Sequence, residues 1–163
     1  MSERSERADR TIIGLIADTH GLVRAELFDA LAGVAFILHA GDVGDGVLEE
    51  LAAIAPVQAV FGNTDPPGRP ELSREIVREV GGLVIHVSHG HELGSPTPAK
   101  LLERYAGDVL VYGHTHRQLV TRAGGRLVVN PGAAGARRFD LTPSVARLTI
   151  ADGHADVELL PLG

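Results

Sequence analysis

Apolar positions recur along this chain in two rhythms, and the rhythm changes near its middle. Thr11-Ile12-Ile13-Gly14-Leu15-Ile16-Ala17 is almost continuously apolar and predicts a strand covered on both faces. Residues 23–31 switch to helical spacing, with Val23, Leu27, Ala30 and Leu31 on one face. Residues 36–40 read as a second strand. A helix then begins at Gly44 or Asp45, runs through Leu48, Leu51, Ala52 and Ile54, and stops at Pro56. Residues 57–61 read as a third strand, and Pro66-Pro67-Gly68-Arg69-Pro70 as a loop.

From there hairpins dominate. Residues 74–80 and 83–87 flank Gly81-Gly82, residues 118–123 and 126–129 flank Gly124-Gly125, and residues 145–151 and 155–160 flank Asp152-Gly153. Between them Thr97 can cap a helix with Pro98 at its first position, through Leu101, Leu102 and Tyr105. Val109-Leu110-Val111-Tyr112 is a further buried strand. Alternating strands and helices followed by hairpins predict an α/β fold of two mixed sheets packed together with helices outside. No linker or repeat divides residues 10–163, which we take as one domain; residues 1–9 are polar and read as a frayed tail rather than a secretory signal.

The polar residues add a second regularity. Asp18, His20, Asp42, Asn63, His89, His114 and His116 each follow an apolar strand run closely. Ligands of α/β sheets bind outside the carboxyl ends of strands, so five strands would deliver oxygen and nitrogen donors to one rim. Each residue has an ordinary reading by itself. Asp18 can cap a helix, Asp42 and Asn63 can form turns, and His89 can be a satisfied core histidine. Turn chemistry does not ask for histidine, however, and the joint placement favours a metal site. In Gly113-His114-Thr115-His116, residues two apart on an extended chain would point both rings into one space. His39, His86 and His154 fall within strands or a turn and read as structural or solvated.

Composition narrows the chemistry. The 163 residues are 44% apolar and 22% charged, as in a water-soluble globular protein, and no apolar run approaches a membrane span. With no cysteine, disulfides, zinc–thiolate sites and thiol nucleophiles are excluded. The lack of cysteine fits a cytoplasmic protein. A formal charge of −6 argues against general nucleic-acid binding.

In order, Asp18-x-His20, Gly41-Asp42, Gly62-Asn63, His89 and Gly113-His114-Thr115-His116 resemble the motifs of the calcineurin-like metallophosphoesterases. Gly62-Asn63-x-Asp65 and Asn130-Pro131-Gly132 resemble the small bacterial and archaeal phosphodiesterase subgroup, itself similar to the retromer vacuolar-sorting subunit. The resemblance implies a four-layer α/β/β/α sandwich. It implies two divalent ions, one on Asp18, His20 and His116, the other on Asn63, His89 and His114, with Asp42 bridging. Manganese is the ion similar proteins often prefer, with Ni, Fe, Zn and Co as alternatives. Such a pair would share a hydroxide that attacks phosphorus in line, so a small phosphodiester is the implied substrate. Similar proteins are often dimers or tetramers, which allows a homo-oligomer here.

Departures from the wider family are informative. Many relatives carry Gly-Asn-His-Glu, whose histidine is thought to protonate the leaving group; here the segment is Gly62-Asn63-Thr64-Asp65. Asn63 would both ligate a metal and donate to phosphate, and Asp65, His91 or water would be the general acid. Ala133 stands where the subgroup commonly has serine, and a lost hydroxyl would alter the substrate rim. Arg137 and Arg138 suit either phosphate or a solvated face. The competing reading is a non-catalytic metal-binding scaffold of the same fold. A β-lactamase-type hydrolase fails, because Arg117-Gln118-Leu119 follows His116 where His-x-His-x-Asp-His is required.

Overall fold

A computed structural model describes residues 10–137 and 140–163. The expected tail and Arg138 lie outside the described residues. Among the described residues eleven strands form two mixed sheets. In the larger, β1 (Thr11–Ile16), β2 (Phe36–His39), β3 (Val57–Val60) and β4 (Leu72–Ser73) run parallel in that order. The hairpin of β10 (Ser144–Ala151) and β11 (His154–Pro161) adds antiparallel to β1. In the smaller, β6 (Leu83–Val87), β7 (Val109–Val111) and β9 (Arg126–Asn130) are parallel, edged by antiparallel β5 (Ile76–Val80) and β8 (Leu119–Ala123).

The period-two alternation of these strands sorts side chains into separate layers. Ile13, Leu15, Leu38, Ile85, Val87, Val109, Val111, Leu127 and Val129 point between the sheets and form one core. The alternate residues Ile16 and Ile37 face outward and meet Leu27, Leu31, Val47 and Leu51, from and beside helices α1 (Glu26–Ala30) and α2 (Val47–Leu51). Leu110, Tyr112 and Val128 do the same against Leu101 of α3 (Pro98–Arg104). The result is the expected α/β/β/α sandwich. Leu15 and Ile85 are fully buried in the central layer; truncating either to alanine would cost about 2–5 kcal/mol.

Differences from the sequence reading are local. Helices α1 and α2 are shorter than their periodic stretches, because the chain leaves each through i→i−3 turns such as Ala32 N to Asp29 O and Ala53 N to Glu50 O. Strand β4 was not foreseen, since two residues carry no period. The cap of α3 was: Thr97 Oγ1 accepts from Lys100 N at 3.2 Å, and Pro98 opens the helix. Among the described residues no helix is long and apolar enough to cross a membrane.

Candidate metal centre

The parallel strands of both sheets end at one edge of the sandwich, and their loops interlock there. Asp18 N donates to Gly41 O at 3.0 Å, and His20 N to Asp42 O at 2.9 Å, laying the β1 loop along the β2 loop. Gly113 N donates to His89 O at 3.0 Å, and His114 N donates to Asp18 Oδ2 at 3.1 Å, which ties the smaller sheet to the larger. Asn130, at the end of β9, donates to Thr115 Oγ1 at 3.0 Å and to Gly113 O at 3.3 Å, bracing the histidine loop.

These loops gather two trios of donors. Asp18, His20 and His116 form one and Asp42, His89 and His114 the other; within each, the donor atoms lie within 4.8 Å of one another. Asp42 touches both, since its Oδ2 lies 3.2 Å from His89 Nε2 and 3.7 Å from His20 Nε2. Asn63 turns its Oδ1 to His89 Nε2 at 3.0 Å and His114 Nδ1 at 3.2 Å. All seven residues singled out in the sequence therefore converge.

The route to that convergence differs from the expectation for the histidine pair. His114 and His116 are not on extended backbone. Their φ values are +74° and +64°, and the turn sends His114 to one trio and His116 to the other. Asp18, His20 and Asp42 also have positive φ, so five of the six such non-glycine residues among those described are candidate ligands. Backbone strain concentrated in this way is a mark of a functional site. Space is equally tight. A Cβ on Gly62 would stand 2.1 Å from Asp42 Oδ1, and one on Gly41 would stand 2.7 Å from the His89 ring.

His89 tests whether a cation fits. Its Nδ1 donates to Ala40 O at 2.8 Å, which in the neutral ring leaves the Nε2 lone pair facing Asn63 Oδ1, Asp42 Oδ2 and, at 3.9 Å, Asp18 Oδ1. Lone pair against lone pairs is repulsive unless a proton or a metal stands between them. Backbone carbonyls hold ligating histidines in this tautomer. Burial pushes the His89 pKa down, but Asp42 and Asp18 outweigh it and the net shift is upward. Burial likewise pushes Asp42 up, and His89 with the Thr64 amide holds it well below the usual carboxylate range. The sites thus favour positive charge, and their donors are oxygen and imidazole only, a set that suits borderline divalent ions.

Asp65 is engaged by backbone: its oxygens accept from Val43 N, Gly44 N and Gly62 N at 2.8–3.1 Å, which fixes the Asp42 and Asn63 loops and weighs against its serving as the general acid. Ala133 is not among the residues that line the cleft. Arg137 is exposed and also lies off the cleft. His91 stands beside the Asp42 trio, with ring centroids 5.2 Å from His89 and 6.4 Å from His114; burial and then His89 lower its pKa. His39 is structural, as read: its Nδ1 accepts from Gly41 N and its Nε2 donates to Thr19 Oγ1 at 2.9 Å. The sequence reading overlooked Arg117, which lines the cleft of about 410 Å³ with His20, Asp42, Asn63, His114 and His116. A lone arginine after the histidine pair offered no periodic or spacing signal.

A two-sheet sandwich holding aspartate and histidine trios at its strand ends defines a metal-site hydrolase architecture. The profile of the calcineurin-like phosphoesterase superfamily domain matches residues 12–153, and the chain belongs to that family. It is 34% identical to a probable metallophosphoesterase of Methanothermobacter thermautotrophicus over 93% of each chain. It is 29% identical to a phosphodiesterase of Methanocaldococcus jannaschii over 74% of this chain and 82% of that one. Its fold matches vacuolar protein sorting 29 of Cryptosporidium parvum with a TM-score of 0.77 at 24% identity, over 93% of this chain and 97% of that one.

Proposed function

We propose that this metal-dependent phosphoesterase is a phosphodiesterase that uses two divalent ions, manganese first among them. The single observation that carries the reading is Asp42, whose carboxylate oxygen reaches both trios. Asp18, His20 and His116 would hold one ion; Asn63, His89 and His114 the other; Asp42 would bridge. Bound ions would supply Lewis acidity and lower the pKa of water toward neutrality. The chain's own residues do the rest. Asn63 presents its amide nitrogen to phosphate while its oxygen faces His89 and His114. Arg117, exposed on the rim, orients the nonbridging oxygens. With Asp65 occupied by backbone amides, His91 or water is left to meet the leaving group. A weak proton source favours diesters whose leaving group is already good over alkyl monoesters.

The test is turnover by metal-free protein reloaded with Mn, Ni, Fe, Zn or Co, alongside elemental analysis. Bis-aryl phosphate should turn over faster than glycerol phosphate, and His114→Ala should be inactive. Faster monoester turnover would count against the diester preference. The likeness to vacuolar protein sorting 29 supports a second reading, a non-catalytic scaffold. Full occupancy with no turnover of any phosphate ester would favour it.

A further inference from the structure

His91 stands beside the metal centre without being one of its donors. Its ring lies 5.2 Å from His89 and 6.4 Å from His114, both of the Asp42 trio. Among the described residues no hydrogen bond holds that ring: its buried Nδ1 is 3.8 Å from Glu92 Oε1, too far for one. The ring also has room to turn, because His91 lines a cavity of about 480 Å³ with Phe61, Arg74 and Tyr105. The backbone beneath it is a single 3₁₀ turn, His91–Leu93, between Gly90 and Gly94 at φ +102° and +75°. A turn of this kind is weak by itself, so what fixes His91 must act on the turn.

Glu92 does so. Its Oε1 accepts from Gly90 N at 2.9 Å, which closes the turn, and its Oε2 accepts from the Tyr105 hydroxyl. Burial pushes the Glu92 carboxyl up, but the Tyr105 hydroxyl and the Glu92 and Gly90 amides outweigh it and the net shift is downward. The carboxylate is therefore an anion, and both bonds are charge-assisted. Tyr105 is held in turn. His86 stacks on its ring at 4.1 Å, and the Arg104 guanidinium lies over the ring, 5.2 Å from its centroid. The Tyr105 carbonyl accepts from Arg126 Nη2 of β9 at 2.6 Å, and the same guanidinium donates to Leu102 O at 2.9 Å and Gly107 O at 2.8 Å. A continuous path thus runs from the smaller sheet through Arg126, Tyr105 and Glu92 to the turn that carries His91.

We infer that Glu92 and Tyr105 are positioning residues, whose hydrogen bond holds the His91 ring against the Asp42 trio so that this ring, rather than water, meets the leaving group. The inference rests on the phosphodiesterase reading for the leaving group, but the hold on the ring is measured without turnover. Tyr105→Phe deletes only the hydroxyl and keeps the ring under His86 and Arg104. In metal-free, isotope-labelled, full-length protein, Tyr105→Phe and Glu92→Ala should both shift the His91 ring signals in NMR spectra and leave those of His116 in place. Glu92→Ala should also speed exchange of the Gly90 amide about tenfold. Glu92→Gln should do less, because its amide still accepts from Gly90 and donates to Tyr105. Unmoved His91 signals in both variants, or equal shifts at His116, would overturn the inference. In reloaded enzyme of unchanged metal content, Tyr105→Phe should lower kcat about tenfold more for diesters that expel an alkoxide than for bis-aryl phosphate, at constant KM. It should add nothing to the loss caused by His91→Ala. Equal losses on both kinds of diester, or additive losses in the double variant, count against it. If His91 moves as described but even the unaltered protein cleaves no phosphate ester, the enzymatic reading falls and the hold on the turn stands.

Discussion

The two trios are built from the same residue types yet differ in how firmly they are held. In the Asp42 trio the side chains of His89 and Asp42 are 0% and 4% exposed, and His89 is fixed by the Ala40 carbonyl. In the Asp18 trio, Asp18 is likewise buried but both histidines reach water, His20 and His116 being 25% and 13% exposed with their Nε2 atoms 3.4 Å apart, whereas in the Asp42 trio only His114 is partly exposed. One site is preorganised by the core; the other is completed by a loop at the water's edge. Ligand orientation by a second layer of hydrogen bonds strengthens metal binding. We therefore expect the Asp42 trio to hold its ion more tightly and the Asp18 trio to exchange it.

Asp42→Ala should erase the contrast altogether. Losing the carboxylate common to both trios should remove both ions and lower turnover by about 10³-fold or more; elemental analysis beside kinetics checks this, and two retained ions would break the comparison. Next in size is the split between histidines. His116→Ala should lose one ion on dialysis and keep the other, whereas His89→Ala should weaken the tight site about 100-fold. Equal losses would show that burial does not set affinity.

His39 sharpens the contrast through pH. Burial lowers its pKa from 6.5 to about 3, so the folded state holds it neutral while the unfolded chain protonates near 6.5. Between those values only the unfolded state binds the proton, and stability falls as pH drops through that window. At pH 4.5 the cost is about 2–3 kcal/mol relative to pH 7. Urea melts of metal-free protein should show that loss reduced in His39→Asn; identical pH slopes would remove His39 from the account. The smallest effect belongs to Asp65. Asp65→Asn should loosen the Asp42 loop and lower metal affinity about tenfold, with the leaving-group dependence of kcat unchanged. A steeper dependence would return Asp65 to the role of proton donor.

Much of this molecule was legible without coordinates. The near-continuous apolar runs of residues 11–17 and 109–112 forecast buried strands, and Gly81-Gly82 and Gly124-Gly125 fall at the turns of β5–β6 and β8–β9. The donors were readable because they sit immediately beyond those strands. The division of His114 from His116 was not, since it depends on left-handed backbone held by partners distant along the chain, as in the bond from His114 N to Asp18, 96 positions away.

The linear pattern determined which residues end each strand and hence which donors share an edge, because periodicity and turn chemistry are properties of neighbours. Only the packed sandwich decided which donor joins which trio, that Asp65 is spent on backbone amides, and that Phe61, Arg74 and Tyr105 meet in one cavity. Those outcomes rest on contacts between distant segments, whose distances and burial are set when two sheets close over a common core.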